Sequence, residues 1–480
     1  AKLLKIIIDY KNYIVKRSHD SQYERKKFWL LLFILILFLL FGCNSNPLEF
    51  TVLSNILKEL PNFDDTVYIR YWMNRNRLKT QFLKIGLDSG NSIPASRLYH
   101  GNGVNWSDGT LHLGWYIGTL ATEFYLLSIG RLPVYSGFPN EDIQTANDAL
   151  KIVQQELYFA LMALERLDKS AESSFSKPPI CSYTHQDIPG FFIRDDVPSD
   201  FTIGNHSLYS SDFTIPFQKN LNSELENWKV NEKLIYNKEV SQDQIYHLLL
   251  GLALTKKFVN GVIIENIDLN SKAVELTVNL VQFLEKNNWI IKNPACDKKV
   301  ERGYDARFLS LGTVRALKSI TGIYANDHDK YGKLWETYRL LDNLNGLSSL
   351  LKGSSITDNQ HMVMTLASIG NGWKETTLKD LMEMAIVNDW YIYPLLHYVL
   401  FGSNSLSEAY IPTLKNKIIS ILNSAPPDGP SSYSENENWH SDNRFLRTKN
   451  QQKGMGEDLS TGYNGLDFML LYNLFLIANL

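Results

Sequence analysis

Apolar residues recur at three-and-four spacing along most of the chain. Leu150, Val153, Leu157, Leu161 and Leu164 form one such stripe, and that spacing predicts an amphipathic helix with one face turned to a core. The pattern returns in Ile245, Leu248, Leu249 and Leu252, in Ala273, Leu276, Leu280 and Leu284, in Leu311, Val314 and Leu317, and in Leu334, Tyr338 and Leu341. Further helices are expected near 361–370, 376–388, 390–402 and 407–423. Two segments are apolar nearly all round: Leu113 to Ile129, with Gly114, Gly118 and Ala121 as small residues for close packing, and Leu466 to Leu480. A helix without a polar face is covered on every side, so both are predicted to lie inside.

Turn-rich stretches separate these helices. Residues 87–110 carry Gly90, Pro94, Gly101, Gly103 and Gly109; residues 167–240 carry Pro178, Pro179, Pro189 and Pro198; residues 424–462 carry Pro426, Pro427, Gly429 and Pro430. Short strands are expected at Phe191-Phe192-Ile193 and Phe213-Thr214-Ile215. Loops of this length usually carry function or disorder, and their aromatic content argues against disorder. The expected fold class is all-α: an α/α toroid of about a dozen antiparallel helices, inner and outer, with long loops and a few short strands. A plain bundle and an α-solenoid are the rival architectures. The expected domain plan is 1–43 as an upstream extension plus signal peptide, and 44–480 as one domain with a loop insertion at 167–240.

At the N-terminal side, Arg25, Lys26 and Lys27 precede an apolar run from Phe28 to Phe41, followed by Gly42, Cys43 and the polar Asn44-Ser45-Asn46. This is the order of a secretory signal: charged region, apolar region, small-residue cleavage site. The run is shorter than the roughly 20 residues of a spanning helix. Leu40-Phe41-Gly42-Cys43 resembles the bacterial lipobox, with Phe41 in place of the usual small residue. The resemblance implies that Cys43 is the acylated first residue of a mature lipoprotein, anchored to a membrane outside the cytosol. An uncleaved membrane anchor is the alternative. Of the three cysteines, Cys181 and Cys296 then remain, either paired or as two free thiols, since pairing needs Cα atoms within about 7 Å.

Composition narrows the function classes. A formal charge of −3 lacks the basic balance of a nucleic-acid binder. No CxxC or Cys/His spacing suggests zinc. Phosphate loops, dinucleotide fingerprints, zincin helices and serine-nucleophile elbows are absent from the sequence. No cofactor or metal is expected. Aromatic residues make up 12% of the chain, enough to furnish sugar platforms as well as a core.

Four polar and aromatic clusters fall in or beside the loops. The first runs from His100 to Asp108 with Trp106, and leads into Trp115 and Tyr116; Asp108 also suits a turn or helix cap. Glu123, inside the apolar helix, needs a partner; a hydrogen bond to another helix is favoured over an acid role. The second runs from Phe191 to Asp196, where Arg194-Asp195-Asp196 suits clamping a sugar hydroxyl, binding a cation or acting as a base, with a surface ion pair as the alternative. The third is Ser241-Gln242-Asp243-Gln244 followed by His247. Ser241 and Gln244 match a capping box. Asp243 and His247, four apart, share a helix face, an arrangement suited to an Asp that orients an acid/base His. The fourth runs through Trp439, His440, Arg444, Glu457 and Tyr463 to Asp467, with Asn464 or Asp467 as the alternative helix caps. Asp358 to His361 is a weaker cluster, with Asp358 as a cap.

The Ser-x-Asp-Gln start at 241–244 is similar to helix starts in bacterial lipoproteins of α/α-toroid fold. More broadly, residues 95–480 resemble α/α-toroid carbohydrate-active enzymes: inverting glycosidases, unsaturated-uronide hydrolases and polysaccharide lyases. That resemblance implies a glycan ligand and a cleft where the loops gather. For a glycosidase it implies two carboxylates about 5–9 Å apart, Asp195 or Asp196 with Asp243, and Glu457 in reserve. Trp106, Trp115 and Trp439 would stack on sugar rings, beside His100. For a lyase it implies His247, His440 or Tyr463 as base and Arg194 or Arg444 against the uronate carboxylate. A non-catalytic glycan-binding lipoprotein and a helical scaffold are the competing readings.

Overall fold

The computed structural model describes residues 66–83, 93–95, 97–99, 103–105, 109–135, 145–175, 189–192, 194, 240–291, 309–323, 358–370, 375–387, 390–425 and 461–480. These residues are mostly helical. The α-helices are α1 (Val67–Arg77), which runs on into a π-helical turn at Leu78–Phe82; α2 (Gly109–Ser128); α3 (Ala146–Phe175); α4 (Gln242–Phe258); α5 (Leu269–Lys286); α6 (Ser310–Thr321); α7 (Asp358–Ile369); α8 (Glu375–Val387); α9 (Ile392–Phe401); α10 (Ile411–Asn423); and α11 (Leu466–Ala478). Five short strands accompany them: β1 (Arg97–Tyr99), β2 (Gly103–Asn105), β3 (Ile263–Ile264), β4 (Ile267–Asp268) and β5 (Thr461–Tyr463).

The two all-apolar segments lie inside, as their composition requires. Helix α2 is buried along nearly its whole length, and so is α11 up to Phe475. Helix α4 is buried in the same way, with its exposed lysines only in the last turn. By contrast α3, α5 and α10 alternate buried and exposed positions and keep one face on the core. Helix α2 packs on α4, α4 on α6 and α7, α6 on α7, α7 on α9, α9 on α11, and α11 again on α2. Helices α3, α5, α8 and α10 pack onto that set.

Helices α2 and α4 run parallel at very short range. A Cβ at Gly114 would strike the carbonyl of His247, and one at Gly251 would strike the carbonyl of Gly114. Farther along, the rings of Tyr125 and Phe258 meet at 4.8 Å. Absent side chains are what let two buried helices approach backbone to backbone. Helix α11 is also parallel to α2, because Asn464 meets His112 near the start of both helices and Asn473 meets Thr119 and Thr122 farther on.

Two expectations change in detail. Helix α3 continues to Phe175, so the first part of the supposed 167–240 insertion is helical. Phe191 and Phe192 form no strand; both are buried, and Phe191 packs on Phe283 of α5 at 5.3 Å. The helix around Leu334 to Leu341 and the strand at 213–215 fall outside the described residues.

Candidate functional site

The starts of α2, α4 and α11 gather polar side chains. Ser241 and Gln244 form the expected capping box at α4, with Gln244 Oε1 accepting from the Ser241 N–H at 3.4 Å. The Ser241 hydroxyl donates to Asp243. Asp243 is half-buried and stands in the first turn, where the helix dipole favours an anion. One turn on, His247 is fully buried. Its Nε2 lies 3.4 Å from Thr365 Oγ1 of α7, and its ring meets Trp115 edge-on, 6.0 Å between centroids.

At α11, Asn464 joins three segments. Its Nδ2 lies 2.9 Å from Ala95 O and 2.9 Å from His112 Nδ1, and its Oδ1 accepts from the Leu466 N–H at 3.3 Å. An amide donating to His112 Nδ1 leaves that nitrogen as an acceptor and fixes the ring's orientation. Gly465 has φ +72°, and a side chain there would also collide with Asn74. Asp467 Oδ1 accepts from the Phe468 N–H at 2.8 Å. The N-cap is Gly465, so neither Asn464 nor Asp467 caps the helix as expected, although both bond backbone at its start.

A three-stranded antiparallel sheet in the order β2-β1-β5 ties the approach to α2 to the approach to α11. Arg97 is in register with both Asn105 and Tyr463, and Tyr99 with Gly103 and Thr461. The backbone around the first cluster and that of the fourth thus share one sheet.

Of the residues assigned to catalysis, Asp243 and His247 fall in the described part. Asp195, Asp196, His440 and Glu457 lie outside it, as do His100, Trp106, Trp439, Arg444 and the candidate lipidation site Cys43. Tyr463 sits in β5 by backbone position, and Asp358 is the first residue of α7. Arg194 is half-buried. Trp115 is fully buried beside His247, so in this structure its ring serves the core. Asp243 retains access to solvent; His247 has none. Among the described residues no group of three or more His, Cys, Asp or Glu side chains could hold a metal ion.

The polar cluster that sequence reading missed lies farther along α2. Arg75 of α1 is buried and faces two carboxylates. Its Nε is 2.7 Å from Glu123 Oε2, and its Nη2 is 3.1 Å from Glu123 Oε1 and 2.5 Å from Glu156 Oε2 of α3. Tyr71 donates to Glu123 at 2.5 Å and Tyr116 to Glu156 at 3.2 Å. Asn473 of α11 donates to the Tyr71 hydroxyl at 3.1 Å. Burial opposes the charge on Arg75, but the two glutamates more than offset it and hold the guanidinium well above its ordinary pKa. Burial, then the adjacent glutamate charge, raises both tyrosines. The partner that Glu123 requires is therefore another helix, and the cluster joins α1, α2, α3 and α11. Glu123 was conspicuous in an apolar helix; Arg75 and Glu156 were ordinary polar positions in sequence.

A second buried titratable group, His397 of α9, has Nδ1 3.2 Å from the Ser368 carbonyl. Burial pushes its pKa down to about 4, against a smaller upward pull from that carbonyl.

Comparison with protein-family models, curated proteins and solved structures finds no match to this chain.

Proposed function

We propose that this chain is a lipid-anchored, extracytoplasmic protein with a glycan-directed cleft, built on helices that close into an α/α toroid. The circuit of contacts from α2 through α4, α6, α7, α9 and α11 back to α2 supports the closure. In that arrangement α3, α5, α8 and α10 are outer helices. The stretches 176–241 and 424–465 lead into the inner helices α4 and α11. The β2-β1-β5 sheet is the observation that carries the reading. It brings backbone from the two most aromatic clusters together at one end of α2 and α11, as a cleft assembled from distant segments requires.

In the catalytic form of the proposal, the cleft cleaves a glycosidic bond by hydrolysis or by lyase elimination. Asp243, half-buried at the rim of α4, is the carboxylate placed to act. His247 positions the start of α4 from beneath through Thr365 and Trp115. The test incubates the purified mature protein with a panel of glycans and follows new reducing ends and the absorbance of unsaturated uronides. Turnover of one glycan class is expected, and Asp243→Asn should abolish it while the far-ultraviolet dichroism stays unchanged. An unaltered rate in that variant removes Asp243 from the mechanism.

A second reading, a non-catalytic glycan-binding lipoprotein, draws on the complete burial of His247 and Trp115 and on the bond between Asp243 and Ser241. It predicts retention on a glycan array without product.

A further inference from the structure

Asn464 is held so that only a neutral His112 can meet it. Two backbone groups settle which way its side-chain amide faces. The Ala95 carbonyl, 2.9 Å from Nδ2, can only accept, and the Leu466 N–H, whose nitrogen is 3.3 Å from Oδ1, can only donate. The amide nitrogen, and not the oxygen, therefore lies 2.9 Å from His112 Nδ1. His112 Nδ1 must keep its lone pair, which puts the proton of the neutral ring on Nε2. A second proton would set one N–H against another. Turning the amide over to accept it would give up the bonds to Ala95 and Leu466 together. Both side chains are wholly shielded from water, where a lost hydrogen bond finds no ready replacement.

The three segments joined at Asn464 are the ones that tie the sheet to the helices. Asn464 directly follows β5, whose Tyr463 is in register with Arg97 of β1. Ala95 stands two residues before β1, and its N–H donates to Phe82 O at 2.6 Å. His112 belongs to the first turn of α2. One end of the β2-β1-β5 sheet is thus pinned to α2 through an imidazole, the side chain that ordinarily changes charge between about pH 5 and 8. The titratable groups on the elements around it are bonded to other partners. Asp467 of α11 accepts from the Phe468 N–H, and Asp243 of α4 from Ser241. His247 of α4 lies beside Thr365. Glu123 of α2 and Glu156 of α3 face Arg75 of α1.

We propose that His112 is an acid-sensitive latch on the candidate site. While the ring is neutral, Asn464 bonds His112, Ala95 and Leu466 at once, and the sheet and the start of α11 are fastened to α2. As the pH falls and the ring takes a second proton, Asn464 loses that partner. The segments around Ala95 and Asn464 then loosen from α2, while the helices stay packed through their apolar faces. The latch operates whatever the site binds.

The test is hydrogen–deuterium exchange of the full chain, read by mass spectrometry and corrected for the intrinsic pH dependence of exchange. From about pH 7.5 to about 5.5, protection of peptides covering 93–99 and 461–468 should fall about tenfold, as for the loss of one buried hydrogen bond. Peptides from α5 should keep theirs. His112→Asn leaves an uncharged acceptor near the place of Nδ1 and should hold protection level across that range. Asn464→Asp exchanges the donor for an acceptor and should reverse the response, so that protection rises as the pH falls. Should Asn464→Asp not fold, His112→Asn alone decides. A flat profile in the parent chain overturns the latch. So does an unaltered pH response in His112→Asn. A loss of protection shared equally by α5 overturns it too, because that is unfolding of the whole domain.

Discussion

Two polar groups lie along α2, and they differ in how their polarity is balanced. Near the helix start the partners are neutral: His112 with Asn464, and beyond them His247 with Thr365. Near the helix end they are charged: Arg75 against Glu123 and Glu156. In the charged group three of the four carboxylate oxygens accept hydrogen bonds, and Glu156 Oε1 accepts none. The guanidinium and its carboxylates face one another inside the helices, and the group clasps α1, α2, α3 and α11. Of the two carboxylates at these helix starts, Asp467 is buried and accepts from the Phe468 N–H, whereas Asp243 keeps a path to solvent. The buried ion pair marks the joint; the half-exposed carboxylate marks the candidate chemistry.

The comparison breaks most readily at Arg75. Arg75→Met leaves two buried glutamates facing no cation, and removing one partner of a buried pair costs about 3–5 kcal/mol. Urea titration should show that loss; a change under about 1 kcal/mol would mean the cluster is not the joint described here. The next effect is pH-dependent. His397 has a folded pKa of about 4 against an unfolded value near 6.5. Between those values the unfolded chain binds the proton first, so stability falls as pH drops from about 7 to 4, by up to about 3 kcal/mol. His397→Gln should flatten the melting temperature over that window relative to the parent chain, and parallel curves for the two proteins would discount the histidine. The smallest change belongs to Asp243. Asp243→Asn removes a favourable charge from the first turn of α4 and should cost only about 1 kcal/mol or less. A larger loss would place Asp243 with the structural group and weaken its catalytic assignment.

Much of the helical framework was legible because burial imposes a period. The stripes at 150–164, 245–252 and 273–284 became α3, α4 and α5, and the two all-apolar segments became the buried α2 and α11. Helix α1 was not foreseen: Val67–Arg77 mixes Arg70, Asn74, Arg75, Asn76 and Arg77 with its apolar residues, and polar partners inside the fold hide the period. The strands were missed for a different reason. Three-residue strands are too short to show an alternating pattern, and β5 finds β1 only through the folded chain. At the candidate site, the Ser241–Gln244 box was readable from local spacing. The Asn464–His112 and His247–Thr365 contacts were not, since nothing local links residues so far apart.

Sequence alone determined where α2 to α11 become helical, that α2 and α11 are enclosed, and that Glu123 needs a partner, because each follows from the cost of exposing apolar surface or burying polar groups within a few turns. Only the tertiary structure decided that Arg75 and Glu156 would be the residues facing Glu123, that His247 would be sealed from water, and that the approaches to α2 and α11 would share a sheet. Those outcomes depend on which helices lie side by side, and a one-dimensional pattern carries no record of its neighbours in space.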